Sequence, residues 1–260
     1  MNSESYFTVS SDKQHPAQFV QNFLTPVNLG DNYEIGLRSL CHGSVYNVIS
    51  GDIVSFLRGE GDGLAVDHIY LDEGFYYHTA HLFKEIFSKL KDFFEKSGDS
   101  WGNIPPEYIG ENQGKLSIKM PKGVRFVINE EAYPNRSPLA NLLHLPEGEY
   151  SKISVYDEAI PAKNHLGFLY SSVIAESYIN NEKSRLMAVI PLTSNHGYNY
   201  FEYKNPTYYP LSVSTFRDIF FILKDVHGEE IKIGLERTPT NIRKKVEYPT
   251  ILNLHVRKRL

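Results

Sequence analysis

One cysteine, one tryptophan and three methionines are spread over 260 residues, and each scarcity excludes something. With Cys41 alone, no disulfide can form within the chain, so the fold must be held by burial, as suits a reducing compartment. No segment approaches the roughly 20 consecutive apolar residues that span a bilayer. The first residues, Met1-Asn2-Ser3-Glu4-Ser5-Tyr6, lack the basic and apolar regions of a secretory leader, so none is expected. Charge of one sign is also lacking. A net charge of −4 and a pI near 6.2 argue against a dedicated nucleic-acid binder while leaving room for a local basic patch. No internal repeat, low-complexity run or Gly/Ser-rich linker divides the chain, so a single domain over 1–260 with loop and helix insertions is expected, without a separate second domain.

Aromatic residues are plentiful, with 18 Tyr and 15 Phe, and they sit in short alternating runs that read as strands. Tyr33, Ile35 and Leu37 alternate with Glu34, Gly36 and Arg38. Similar runs occupy 65–71, 152–156, 166–174, 185–192, 216–225 and 249–257. Leu116, Ile118 and Met120 are expected to face Val124, Phe126 and Ile128 in a hairpin across Pro121-Lys122-Gly123. The turn at Asp225–Gly228 is expected to lead into a return strand at Ile231–Gly234.

One segment has helical period. Phe83, Ile86, Phe87, Leu90, Phe93 and Phe94 share a face near 79–97, with Thr79 as a cap and Gly98 as a stop. Lys84, Glu85, Lys89, Lys91, Asp92 and Glu95 are assigned to the solvent side. Ser137-Pro138-Leu139 predicts a second, short helix near 138–144. The sum is an all-β chain: a single jelly-roll β-sandwich of about eight strands in two antiparallel sheets, with an amphipathic helix inserted.

Chemistry is sparse by comparison. His78 and His81 share a helical face with Glu85, but they lack the His-Glu-x-x-His order of a zinc protease and an evident third ligand. The paired histidines and following glutamate of a metal-dependent cupin are missing, which leaves a cupin-like enzyme as a remote alternative. Cys41 and His42 are neighbours on a strand and point to opposite faces, so they do not form a nucleophile–base pair. No catalytic residue, metal ligand or cofactor is assigned. Two features are candidates for contact. Basic clusters at Arg243, Lys244, Lys245 and at Arg257, Lys258, Arg259 suit phosphates. Tyrosines 200, 203, 208 and 209 suit an aromatic interface or a carbohydrate platform.

The order of these pieces also carries a resemblance. Phe7–Val9 is followed by Pro26-Val27-Asn28-Leu29-Gly30, Tyr33-Glu34-Ile35-Gly36-Leu37 and Tyr46-Asn47-Val48. Glu73-Gly74-Phe75-Tyr76-Tyr77 precedes the helix, and Ser137-Pro138-Leu139-Ala140-Asn141-Leu142-Leu143 follows it. Then come Phe168–Ile174, Leu186-Met187-Ala188-Val189-Ile190-Pro191, Asn205–Leu211 and Leu254-His255-Val256-Arg257. Taken in sequence these resemble the penton, or minor capsid, proteins of Polinton/Maverick elements, adintoviruses and related virophages. The chain departs from that pattern at Ile231-Lys232-Ile233, where Pro-Phe is the family's habit, and in a longer 237–248 stretch. The resemblance implies a structural virion protein made in the host cytoplasm. It would form homopentamers at the five-fold vertices of an icosahedral capsid, beside a double jelly-roll major capsid protein; separately, the basic residues Arg257, Lys258 and Arg259 alone suggest a contact with packaged DNA. A jelly-roll receptor- or carbohydrate-binding module is the main alternative.

Overall fold

The computed structural model of the chain describes residues 4–11, 15, 17–48, 53–59, 65–96, 107–110, 114–128, 143, 145–146, 148–160, 164–179, 182–193, 197–237 and 246–259. In chain order the elements begin with β1 (Ser5–Ser10), β2 (Gln18–Asn28) and β3 (Tyr33–His42). Next are β4 (Ile53–Arg58), β5 (Ala65–Tyr70), β6 (Phe75–Tyr76), α1 (Thr79–Lys96), β7 (Glu107–Gly110), β8 (Lys115–Lys119), β9 (Val124–Ile128), β10 (Gly148–Tyr150) and β11 (Lys152–Tyr156). The chain ends with β12 (Asn164–Ser171), β13 (Ser177–Ile179), β14 (Glu182–Ser184), β15 (Leu186–Thr193), β16 (Asn199–Glu202), β17 (Tyr208–Pro210), β18 (Thr215–Lys224), β19 (Leu235–Arg237), β20 (Val246–Glu247) and β21 (Ile251–Lys258). By contact density the described residues fall into two compact units: 1–45 with 162–236 and 246–260, and 46–161 with 237–245. Each has its own hydrophobic cluster.

The first unit is a β-sandwich whose strand order is that of a jelly roll. One sheet runs β1-β21-β3-β16, with β17 also on β3, and the other runs β15-β12-β18-β2. Strands β16 and β17 are successive lengths of one edge: they pair with 39–42 and 34–36 of β3, and Tyr203 N donates to Arg38 O between them. Counting that edge once leaves eight strand positions, which read 1-8-3-6 and 5-4-7-2 across the two sheets. First pairs with last, second with seventh, third with sixth and fourth with fifth, all antiparallel. That nesting is what a long two-stranded ribbon gives when it is rolled into a sandwich.

Alternation explains why these residues form these layers. On β21, Leu252, Leu254 and Val256 point inward; on β18, Ile219, Phe221 and Leu223 do the same, and all six are buried. They meet Val9, Ile35, Leu40, Phe19, Leu169 and Ile190 in one cluster. Pro26 lies in β2, which is an edge strand, at the register shift opposite Phe216–Asp218. A residue with no N–H is tolerated there because the ladder is already interrupted.

The return strand expected at 231–234 does not form. Asp225 Oδ1 accepts from the amides of His227 and Glu229 and tightens the turn. Ile231 N then donates to Leu223 O at 3.2 Å, and Ile233 makes an isolated bridge with Val45. Gly234 donates to Ser44 O and turns the chain away before a ladder can grow.

In the second unit α1 buries Leu82, Phe83, Ile86, Leu90 and Phe94. These pack with Val54, Phe56, Ile69, Phe126 and Ile118, which come from the sheets β10-β9-β4-β5 and β11-β8-β7. The hairpin expected across Pro121–Gly123 is absent. Strand β8 pairs with β7 and β11, while β9 pairs with β4 and β10. Pro121 offers no amide to continue the ladder, and Val124 N donates back to Pro121 O. The ribbon formed by 115–128 against 148–156 therefore bends at this point and passes from one sheet into the other.

Two local expectations for α1 also change. Thr79 is not the cap. Its hydroxyl donates to Tyr156 O and accepts from Glu158 N, and Asp157 Oδ1 instead accepts from Ala80 N at 3.2 Å. Glu85 is buried rather than solvated, because Lys89 lies between it and Asp72, at 3.7 and 2.8 Å. Gly98 and most of the short helix near 138–144 lie outside the described residues; Leu143 is helical.

Candidate functional site

The outer face of the β1-β21-β3-β16 sheet carries an organised row of polar and aromatic side chains. Register places Tyr6 opposite His255, His255 opposite Gly36 and Gly36 opposite Tyr208, so one row crosses β1, β21, β3 and β17. The Tyr6 ring stacks on His255 at 4.7 Å and 10°. Tyr208 donates its hydroxyl, or accepts, at 2.7 Å from His255 Nδ1. In the next row the Arg257 guanidinium lies 3.6 Å from the centre of the Tyr208 ring and donates to Glu34 at 2.7 Å. Gly36 makes this possible. A β-carbon there would sit 3.1 Å from the Tyr208 ring and 3.0 Å from Thr207 O.

The candidate tyrosines therefore divide. Tyr208 and Tyr200, the latter 62% exposed, belong to the outer face. Tyr203 and Tyr209 are half-buried and pack on the core. The Tyr203 hydroxyl has no hydrogen-bond partner among the described residues, and burial pushes its pKa up. The basic cluster divides too. Arg257 is engaged by Glu34 and Tyr208, whereas Lys258 and Arg259 are exposed. Arg243, Lys244 and Lys245 lie outside the described residues. Tyr6, His255 and Glu34 were missed by sequence reading. Alternation places each on an outward face, but only the strand register reveals that they share rows.

Among the described residues no three His, Cys, Asp or Glu side chains are grouped so as to hold a metal ion. His78 Nδ1 stands 3.4 Å from Asp157 Oδ1, and the His78 and His81 rings are 5.6 Å apart. Glu85 is turned toward Lys89. Burial pushes the half-buried Cys41 thiol up, which keeps it protonated near neutrality.

His42 is fully buried, stacked on Phe201 at 5.7 Å, with Nδ1 2.5 Å from Gly43 O. A carbonyl only accepts, so Nδ1 carries the proton, and Nε2 is left without a partner among the described residues. Burial holds the His42 pKa below the ordinary 6.5, against a smaller opposing effect of that bond. His81 is also held down, by burial first and then by His78 and Lys84, against Asp157. A group lowered in this way binds fewer protons folded than unfolded. The stability it contributes is complete above about pH 6.5 and is lost as pH falls through that value toward the folded pKa. Thermal midpoints should therefore decline between about pH 7.5 and pH 5, before most carboxylates titrate. His42→Asn should flatten part of that decline; an unchanged slope in the variant would contradict the assignment.

No family model matches the sequence, and no curated protein matches it. Among solved structures, the chain is similar to the crystal structure of the selenomethionine-labelled mavirus penton protein. The alignment covers 99% of this chain and 100% of that one, with a TM-score of 0.47 and 12% identity.

Proposed function

We propose that the chain is a structural subunit of an icosahedral shell, a penton that closes five-fold vertices as a homopentamer. The observation that carries this reading is the strand order 1-8-3-6 and 5-4-7-2, which makes the first unit a single jelly roll. Two stacked antiparallel sheets form a stiff wedge, and a wedge with two different outer faces suits a heterologous contact that closes as a ring. The ordered motifs from Phe7 to Arg257 point the same way, toward the penton proteins of Polinton/Maverick elements, adintoviruses and virophages. A double jelly-roll major capsid protein is then the neighbour, the virion is the location, and the role is architectural rather than catalytic. No helix among the described residues is long and apolar enough to cross a membrane.

Surface chemistry supports self-association. The outward residues of the β15-β12-β18-β2 sheet include Val20, Leu166, Val189 and Phe220, exposed at 53, 50, 48 and 37%. Phe220 stands opposite Val20, and Phe168 stands between Val189 and Lys224. Several apolar side chains exposed on one sheet face suit a partner that covers them. A second copy is the occupant the ring requires. Sedimentation of the purified chain over a concentration series should show conversion from monomer to pentamer. Monomer alone at every concentration, or an even-numbered oligomer, would contradict the reading.

A further inference from the structure

At the end of the sandwich where β3 begins, two loops border a shallow, open depression of about 490 Å³. The loop between β2 and β3 supplies Asp31 and Asn32, with Tyr33 at the start of β3; the loop between β17 and β18 supplies Val213 and Ser214, with Thr215 at the start of β18. Its walls are fixed by backbone bonds. Leu29 N donates to Ser214 O and Leu211 N to Tyr33 O, both at 3.0 Å, and Arg259 N donates to Asn32 O at 2.6 Å. Ser212 anchors the second loop through its amide and hydroxyl, both donating to Val173 O. Asn32 takes a left-handed backbone, φ 65°, which a short polar side chain tolerates better than most.

The side chains of Asp31, Asn32, Ser214 and Thr215 are exposed and make no hydrogen bond to the described protein. One carboxylate, one amide and two hydroxyls thus line an open depression, none of them tied up by a bond to the described protein. Val213, 44% exposed, adds an apolar contact. The volume lies within the range of small-ligand sites. A carboxylate and an amide together accept from and donate to adjacent hydroxyls, and an apolar wall suits the C–H face of a pyranose ring. The negative charge of Asp31 disfavours acidic ligands, and the lining contains no lysine or arginine.

We infer that this cleft is a binding site for a neutral glycan terminus, recognised directly through Asp31, Asn32, Ser214 and Thr215. Such a site gives an assembled shell a means of attachment, and it stands or falls independently of pentamer formation because it lies within one chain. The test is binding of the full chain to immobilised hexose- and N-acetylhexosamine-terminated glycans, with sialylated glycans alongside. Saturation-transfer NMR on the best neutral glycan then follows. The expected result is binding of neutral termini, weakened at least ten-fold by Asp31→Asn and several-fold by Thr215→Val, with thermal midpoints unchanged. Tyr200→Ala, on the outer sheet face, should leave binding intact. No glycan binding, binding confined to sialylated termini, binding that needs calcium, or binding indifferent to both cleft variants would overturn the inference.

Discussion

Phe221→Ala should cost the first unit about 3–5 kcal/mol, the range for removing a fully buried phenylalanine, while Phe220→Ala should cost less than about 0.5 kcal/mol. The two positions are adjacent on β18 and face opposite ways. Phe221 is completely buried between the sheets, whereas Phe220 points outward opposite Val20. Against a typical total stability of about 5–15 kcal/mol, the first loss is a large fraction of what holds a domain together. Chemical denaturation followed by far-ultraviolet circular dichroism separates the two. A charged substitution at the outer position, Phe220→Glu, should leave the midpoint nearly unchanged yet suppress self-association. Equal destabilisation by both alanine variants would mean that β18 does not alternate between a core and an open face, and the sandwich would be wrong.

Gly43→Ala should be nearly as damaging, for a different reason. An added β-carbon at Gly43 would stand 2.7 Å from Gly234 Cα and 2.9 Å from Tyr248 Cβ. The closest atom is backbone, which cannot rotate away as a flexible side chain does. Here the end of β3 is threaded against Gly234, which itself donates to Ser44 O. Overpacking of this kind costs about 1–3 kcal/mol, and more where the obstructing atom is main chain. Gly36→Ala offers the informative contrast. Its added β-carbon would stand 3.0 Å from Thr207 O and 3.1 Å from the Tyr208 ring, looser contacts than those at Gly43, so the variant should stay folded but shift Tyr208 away from Arg257 and His255. Thermal midpoints compare the two, and a Gly43→Ala protein as stable as the parent would show that the close approach does not exist.

Much of the sandwich was legible because its residues alternate strictly. Ile219, Phe221 and Leu223, or Leu252, Leu254 and Val256, can face a core only as strands. The helix was equally plain, since Phe83, Ile86, Leu90 and Phe94 repeat at its period. Strand partnership was less accessible. Leu116–Met120 and Val124–Ile128 look like two arms of a hairpin because local spacing carries no information about a bend between sheets. The compactness of 46–161 was hidden for a similar reason: no linker composition marks where that stretch leaves and re-enters the jelly-roll sequence. Glu85 looked solvent-facing because its burial depends on Lys89 and on Asp72, which is distant in sequence. The outer-face row of Tyr6, His255, Gly36 and Tyr208 needed three separate registers before it existed as a surface. The cleft at Asp31 and Ser214 joins loops about 180 residues apart, a distance over which neither periodicity nor motif spacing reports.

The proposed role at a shell vertex is best tested by imaging. Co-expression of this chain with the major capsid protein of the same genome, followed by electron cryomicroscopy of the particles, locates it without any assumption about its contacts. The account predicts five copies around each five-fold axis, with a jelly roll fitting each copy's density. Particles whose five-fold vertices are filled by another protein, with this chain absent or seated elsewhere, would contradict it.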